Sequence, residues 1–331
     1  MSIDGGGIRG IIPAIVLAEL EQKTGRPICE LFDLIAGTST GGILALALTK
    51  PDAHGKPVFS AARLIELYEK EGGRIFSPAW HRWPIIGFIF DLFEVRYSSK
   101  NITRVLQRYF GATRLSDVLT PVLVTAYELQ KRDPWLFKSE RAKAEADHDF
   151  PMHQVAYATS AAPTYFPPLK LHAPKPLRWY ALIDGGVYAQ NPAMAAYVEA
   201  HMIYPDARDF IICSIGTGRS KKPIEYNKAR RWGLAGWARP ILDVVFDGVS
   251  DTVDYELDLL LPPGGGSKRH YRFQVELADG EDAMDDPSPK NLQRLRARAQ
   301  QLIADNAAEL VSLAEALSRR LTTPLHPEPP A

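Results

Sequence analysis

The stretch "LFDLIAGTSTGGILALAL", residues 31–48, constrains the fold more than any other part of the chain. An apolar, strand-like run enters Gly37-Thr38-Ser39-Thr40-Gly41, and a helix of small and aliphatic residues leaves it. G-x-S-x-G carries meaning only in that context. Glycines at either side keep side chains clear of a sharp strand-to-helix turn, so the serine hydroxyl projects from its apex with a helix N-terminus behind it. Gly37 and Gly41 thus read as the elbow glycines and Ser39 as a nucleophile. The competing reading is a chance match in a Gly/Ser-rich turn, and the flanking strand and helix weigh against it.

The same alternation runs through the chain. Short apolar runs bounded by Gly or Pro occur at "LFDLIAG", "PVLVTAYEL", "YALIDGG", "FIICSIGTG" and "YRFQVEL". Between them lie helical patterns such as "IIPAIVLAELEQKTG", with Pro13 near its start and Gly25 past its end, then "GGILALALTK", "SAARLIELYEKEGG", "SKNITRVLQRYFG" and "NPAMAAYVEAHMI". Two longer helical patterns follow. Strand–helix alternation predicts an α/β fold with helices on both faces of a largely parallel sheet. The Pro-rich end, "TTPLHPEPPA", reads as a disordered tail over 322–331 behind one domain spanning 1–321.

The opening "DGGGIRG" then acquires a purpose. If Ser39 attacks a carbonyl, the tetrahedral oxyanion needs backbone N–H donors close by, and side-chain-free Gly6 and Gly7 can supply them. Arg9 stands next to them, able to meet a phosphate or to steady the loop. A nucleotide-phosphate loop is the alternative, but the Lys-Ser/Thr of a P-loop and the G-x-G-x-x-G spacing are both missing. For the base, Asp184 in "WYALIDGGVYAQNP" ends an apolar strand and precedes two glycines, which leaves its carboxylate open at a sheet edge. The bland alternative is a D-G turn. None of the 8 histidines has a comparable setting, and His201 and His270 are the only ones near plausible elements, so a Ser–Asp dyad is favoured over a triad with histidine.

Charge and cysteine content exclude several classes. Lys and Arg total 39, as do Asp and Glu, so no global field draws the chain to nucleic acid. Cys29 and Cys213 sit in apolar runs without CxxC spacing, as buried reduced thiols do, and neither a disulfide nor a metal site is expected. "DAMDDPSP" lacks the spacing of a calcium loop and reads as a helix entry. No run reaches the roughly 18 apolar residues of a membrane span and no signal peptide stands out, so a cytoplasmic location is expected.

Four motifs in order, "DGGGIRGIIPA", "GTSTGG", "ATSAAPTYFPP" and "DGGVYAQNP", resemble those of the patatin-like phospholipase family in its single-domain bacterial form. "WGLAGWARPILDVVFDGVSDTVDY" and "YRFQVEL" resemble its later blocks, so the likeness covers nearly the whole chain. The resemblance implies a three-layer α/β/α sandwich that hydrolyses acyl esters of membrane glycerophospholipids, with no cofactor and no metal. Carried over by residue, it makes Ser39 the nucleophile, Asp184 the base, Gly6 and Gly7 the oxyanion donors and Arg9 the adjacent cation. Some bacterial members are antiphage effectors switched on by cyclic nucleotides, which leaves a small-molecule activator open. A weakly active or non-enzymatic partner-binding member is the other reading, because fold does not dictate activity.

Two further stretches point to a lipid surface and peripheral membrane association. Residues 80–95, "WHRWPIIGFIFDLFEV", are rich in aromatic and aliphatic side chains and are read either as an interfacial lid or as ordinary core packing. Residues 218–231, "GRSKKPIEYNKARR", concentrate 6 basic residues and are read as a contact for anionic headgroups or as a solvated loop.

Overall fold

The computed structural model describes residues 1–77, 95–173, 178–237, 240–264 and 268–322. Ten strands are used here: β1 (Ser2–Ile3), β2 (Ile35–Gly37), β3 (Val122–Glu128), β4 (Asp133–Lys138), β5 (Leu169–His172), β6 (Trp179–Asp184), β7 (Ile212–Ile215), β8 (Arg219–Ser220), β9 (His270–Phe273) and β10 (Glu276–Leu277). The longer described helices are α1 (Ile11–Thr24), α2 (Thr40–Leu48), α3 (Ala61–Ile75), α4 (Ser99–Phe110), α5 (Met152–Ser160), α6 (Ala193–Ile203), α7 (Pro240–Leu260), α8 (Pro289–Asp305) and α9 (Ala307–Thr322).

The large sheet has a parallel half, β9-β7-β1-β2-β3, and an antiparallel remainder in which β3 pairs with β4 and β6, and β6 with β5. The sheet expected from sequence is therefore present, with an antiparallel edge that the sequence did not announce. β8 and β10 form a separate small ladder.

One feature of register decides where the chemistry sits. β4 pairs with β3 continuously from Leu123 to Glu128 and so fills one entire edge of it. β2 pairs with Val122 to Val124 and β6 with Ala126 to Glu128, and both must use the other edge. β2 runs parallel to β3 and ends at Gly37 opposite Val124, while β6 runs antiparallel and ends at Asp184 opposite Ala126. The two strands therefore approach each other head-on, stopping two positions apart, about 7 Å along the strand. Both chains must leave the sheet there.

The two faces of the sheet follow the period of two along each strand. Ile35, Val122, Val124, Cys213 and Ile215 point into the main core with α1 to α5, α8 and α9, whereas Ala36 and Leu123 face α6, and Ile212 faces α6 and α7. This is the three-layer arrangement. Helix α2 is buried along its whole length, which is why its sequence is apolar all round rather than amphipathic. Helix ends obey the expected chemistry: Pro13 lies in the first turn of α1, and Gly25 closes it in the left-handed conformation at φ 67°. Ser288 caps α8, its Oγ accepting from Asn291 N–H at 3.3 Å with Pro289 next, so "DAMDDPSP" is the helix entry expected. Cys29 and Cys213 are buried and free. No described helix is long and apolar enough to cross a membrane.

A buried ion pair ties the edge strand to the first loop. Arg272 of β9 donates through Nη1 and Nη2 to both carboxylate oxygens of Asp4, at 3.0 and 2.6 Å, and also to Ser214 Oγ and Ser250 Oγ. Burial works to lower the Arg272 guanidinium, but the charge and hydrogen bonds of Asp4 more than offset it and hold it above its ordinary value. Removing the cation would strand a carboxylate that is almost out of water. Arg272→Met is expected to cost about 3–5 kcal/mol, read as a lower urea midpoint, with Arg272→Lys losing less. An unchanged midpoint for the Met variant would show that Asp4 is not held as a buried charge.

Candidate active site

Ser39 sits where β2 leaves the sheet. Its φ of 55° and ψ of −123° lie in a region that L-residues rarely adopt. The turn is held on both sides. Ser39 N–H donates to Thr159 Oγ1 of α5 at 2.8 Å, and Gly41 N–H donates to the Thr38 carbonyl at 2.8 Å. Thr38 Oγ1 donates to the Ala189 carbonyl at 2.6 Å and so accepts from Thr125 Oγ1 at 2.7 Å. Neither elbow glycine has a positive φ; each is there because of close approach. A Cβ on Gly37 would meet the Gly41–Gly42 backbone, and one on Gly41 would meet the carbonyl of Ile3. The first turn of α2 thus packs directly on the ends of β1 and β2.

Asp184 reaches the same point from β6. Its carboxylate accepts from Gly186 N–H at 2.7 Å and lies on the same pocket lining as Ser39. It is 5% exposed. Burial raises its pKa from 3.8 to about 7, against the lowering influence of Ser39 and of the Gly186 N–H. Gly185 follows because a Cβ there would run into Thr125, the residue of β3 between the two strand ends. Sequence reasoning placed Ser39 and Asp184 as partners, and the structure brings them together.

The loop carrying Gly6 and Gly7 forms the third side. Gly6 takes φ 158° and ψ 14°, and Gly7 takes φ 58° as it starts a short 3-10 turn, Gly7–Gly10. The loop is fastened from three distant segments. Gly5 N–H donates to the Gln190 carbonyl at 3.1 Å, and Gln190 Nε2 donates back to the Gly5 carbonyl at 2.8 Å. Thr217 Oγ1 donates to that carbonyl too, and Ile8 N–H donates to the Met284 carbonyl at 2.8 Å. Among the described residues no acceptor is recorded for the N–H groups of Gly6 and Gly7. A Cβ on Gly6 would strike Thr217 and one on Gly7 the Met284 carbonyl, so alanine at either position disturbs the loop as well as its donors.

Arg9 is 5% exposed, and its Nε donates to the Gly6 carbonyl at 3.4 Å. Burial pulls its guanidinium below the ordinary value, opposed by the charges of Asp247, Asp243 and Asp282. Arg9 is not among the residues that line the pocket in front of Ser39; it sits behind the glycines.

That pocket encloses about 910 Å³, counting its open mouth. Gly6, Gly7, Ser39 and Asp184 lie on its lining with Ser160, Gln190 and a wall of Ile8, Ile43, Leu67, Ile75, Phe76, Ile102, Phe166 and Phe246. Among the described residues no histidine lines the pocket. His270 belongs to β9, and His201 packs on Tyr197 and Phe210 of the outer layer. Sequence reasoning missed Thr159, Gln190, Thr217 and Met284, the groups that fix the elbow and the loop. Thr159 and Gln190 were inside quoted motifs, "ATSAAPTYFPP" and "DGGVYAQNP", and their position there was the available signal. Nearly all of the aromatic stretch over 80–95 lies outside the described residues. In the basic segment, Arg219 pairs with Asp251, Lys221 with Glu276 and Lys228 with Glu225.

The strain at Ser39 makes a measurable statement. Alanine keeps the strained dihedrals and glycine relieves them, so Ser39→Gly is expected to be more stable than Ser39→Ala by about 1–3 kcal/mol. Equal thermal midpoints for the two variants would mean that the turn carries no strain.

Residues 1–197 match the family described as Patatin-like phospholipase. The chain is 31% identical to Patatin-like protein 4 of Arabidopsis thaliana over 94% of its own length and 84% of that protein. It is 32% identical to Patatin-like protein 2 of the same plant over the same shares. It is also 28% identical to Probable inactive patatin-3-Kuras 1 of Solanum tuberosum over 93% of this chain and 87% of that one. On the family match and the extent of these likenesses, the chain belongs to the patatin-like phospholipase family.

Proposed function

We propose that the protein is a serine lipid acyl hydrolase that cleaves carboxylic esters of membrane glycerophospholipids through an acyl-Ser39 intermediate, with Asp184 as the base. The observation that carries this reading is that Ser39 and the buried Asp184 carboxylate share the lining of one largely apolar pocket, beside Gly6 and Gly7. Asp184 takes the hydroxyl proton as Ser39 Oγ attacks the ester carbonyl, and the carbonyl oxygen becomes an oxyanion facing the Gly6 and Gly7 N–H groups. Collapse of the tetrahedral species breaks the ester bond, and Asp184 returns the proton to the leaving alcohol. Water then attacks acyl-Ser39 with Asp184 again as base, releasing the fatty acid.

An ordinary aspartate is too weak a base for this work at neutral pH. Burial answers that difficulty, because a carboxyl pushed up to about 7 is poised near the operating pH and still mostly ionised above it. The aliphatic and aromatic wall suits an acyl chain. Arg9, held behind the oxyanion loop, would act on the substrate chiefly by steadying that loop and by its field; a phosphate contact requires the headgroup to reach past the glycines. The basic segment retains Lys222, Arg230 and Arg231 without acidic partners among the described residues, next to exposed Ile224 and Tyr226, a mixture suited to an anionic lipid surface. Each such cation contributes about 1 kcal/mol near a charged membrane.

The likeness to a relative named as probably inactive keeps a non-catalytic, lipid-binding reading in play. A fluorophosphonate probe separates the two, since only an activated serine is labelled. Labelling that is abolished in Ser39→Ala supports the hydrolase, and an unlabelled but folded wild type overturns it. Headgroup and chain preference would follow from product release from mixed liposomes.

Asp184→Asn tests the base through two readouts of opposite sign. It removes the proton acceptor, so hydrolysis of a soluble short-chain ester should fall by several orders of magnitude, nearly as far as in Ser39→Ala. In the wild type, kcat/KM should rise with pH through about 7 and then level off, as the free enzyme loses the Asp184 proton. Stability should run the other way. A folded pKa raised above the unfolded one means that the folded state binds more protons between about 4 and about 7, so the ionised carboxylate costs stability increasingly across that window and fully above it. The Asn variant should therefore gain thermal stability over wild type, more at pH 8 than at pH 5. A variant that keeps wild-type turnover, or is less stable at pH 8, would remove Asp184 from this role.

A further inference from the structure

We propose that His270 Nε2 and Asp254 bind one divalent transition-metal ion of the zinc or manganese type, with Asp258 orienting the imidazole through Nδ1 and water completing the coordination, bracing helix α7 against strand β9. Candidate ligand atoms of the three residues lie within 4.8 Å of one another. Asp254 and Asp258 are four apart on α7 and so share a helix face, and His270 is the first residue of β9, which that face meets.

Proximity alone would carry little. The imidazole is what points to a ligand. His270 is 2% exposed, and its Nδ1 lies 2.9 Å from Asp258 Oδ1, where it donates to the carboxylate. In the neutral imidazole that bond leaves the Nε2 lone pair facing Asp254 Oδ1, 3.7 Å away. Both atoms are buried, and neither has a hydrogen-bond partner. Two orphaned acceptors facing each other are costly unless a cation lies between them. The gap is close to what two ligands at about 2.0–2.2 Å from one ion leave between them, and a histidine whose second nitrogen donates to a carboxylate is the usual bearing of a metal ligand.

Local charge favours the same conclusion. Arg272 is paired with Asp4, and Arg219 lies against Asp251, so these four groups offset one another. Asp254 and Asp258 remain, two carboxylates one turn apart toward the C-terminal end of α7, where no basic residue occupies the last turn. Carboxylates in that position oppose the helix dipole and repel each other. A divalent cation removes both penalties. Mixed imidazole and carboxylate donors suit zinc or manganese better than calcium or magnesium, which take oxygen alone.

The site is structural rather than catalytic. The other half of α7 carries Phe246 to the pocket wall, and Arg272, two residues along β9 from His270, holds Asp4 at the start of the oxyanion loop. An ion at the α7–β9 junction stiffens both supports.

The test uses untagged, chelator-stripped full-length protein kept reduced, titrated separately with Zn²⁺, Mn²⁺, Ca²⁺ and Mg²⁺ by calorimetry, with thermal unfolding in parallel. The expected result is one Zn²⁺ or Mn²⁺ per chain in the micromolar range or tighter, a rise of a few degrees in Tm at saturation that EDTA reverses, and loss of both in His270→Gln and in Asp254→Asn. Far-UV circular dichroism establishes that each variant is folded. No binding by the wild type, binding of calcium or magnesium alone, or wild-type stoichiometry kept by the folded variants would each overturn the proposal.

Discussion

The head-on meeting of β2 and β6 along one edge of β3 is the constraint from which the rest of the site follows. A strand pairs with one neighbour at a time on each edge, and β4 fills the far edge of β3. Gly37 and Asp184 must therefore terminate facing one another across Thr125. Both chains turn out of the sheet at that point, and a side chain is delivered from each. Ser39 and Asp184, the proposed nucleophile and base, are thus placed by strand register rather than by loops, which is how two groups 145 positions apart in the chain reach one pocket lining. Thr125 explains the glycine after Asp184, and its hydroxyl also steadies Thr38.

The oxyanion loop obeys a different logic. Its backbone carries no long ladder, since β1 contributes only Ser2 and Ile3 to the sheet. Side chains and carbonyls supply the anchoring instead: Arg272 on Asp4, Gln190 and Thr217 on Gly5, and Met284 on Ile8. These distant anchors lie on either side of Gly6 and Gly7, so the two N–H groups are held in place and left without acceptors among the described residues. Preorganised donors of this kind stabilise charge without having to reorient when it develops.

Much of this was legible because the signals were local. The strand before Ser39, the helix after it, the glycines around Asp184 and the opening "DGGG" are each short-range patterns whose physical reasons do not depend on the rest of the chain. The helix caps at Gly25 and Ser288 were legible for the same reason. What could not be read was pairing. Strands β4 and β5 carry exposed or half-buried residues at an edge, so their hydrophobic pattern is weak, and the antiparallel placement of β6 is a fact about β3. Thr217 and Met284 act across more than 200 residues on the opening loop, and nothing in their own neighbourhoods advertises it. The glycines were located correctly but with an incomplete reason, since Gly37 and Gly41 answer to packing and the strained dihedral falls on Ser39 itself.

The apolar wall joins these two structural logics into one chemical one. The wall that would receive an acyl chain borders the site from which water is kept off Asp184, and burial is the largest influence on that carboxyl. Filling the pocket with a chain excludes water further, which disfavours the ionised base but strengthens the field of the Gly6 and Gly7 donors on a developing oxyanion. In the proposed reaction the two effects act at different moments: Asp184 would have to be ionised before attack, and the Gly6 and Gly7 donors would matter during it. A carboxyl already raised to about 7 by the protein alone tolerates only a modest further rise before it is neutral at working pH. The lowering influences of Ser39 and of the Gly186 N–H set that limit, because they hold the ionised form against the desolvation that the substrate adds.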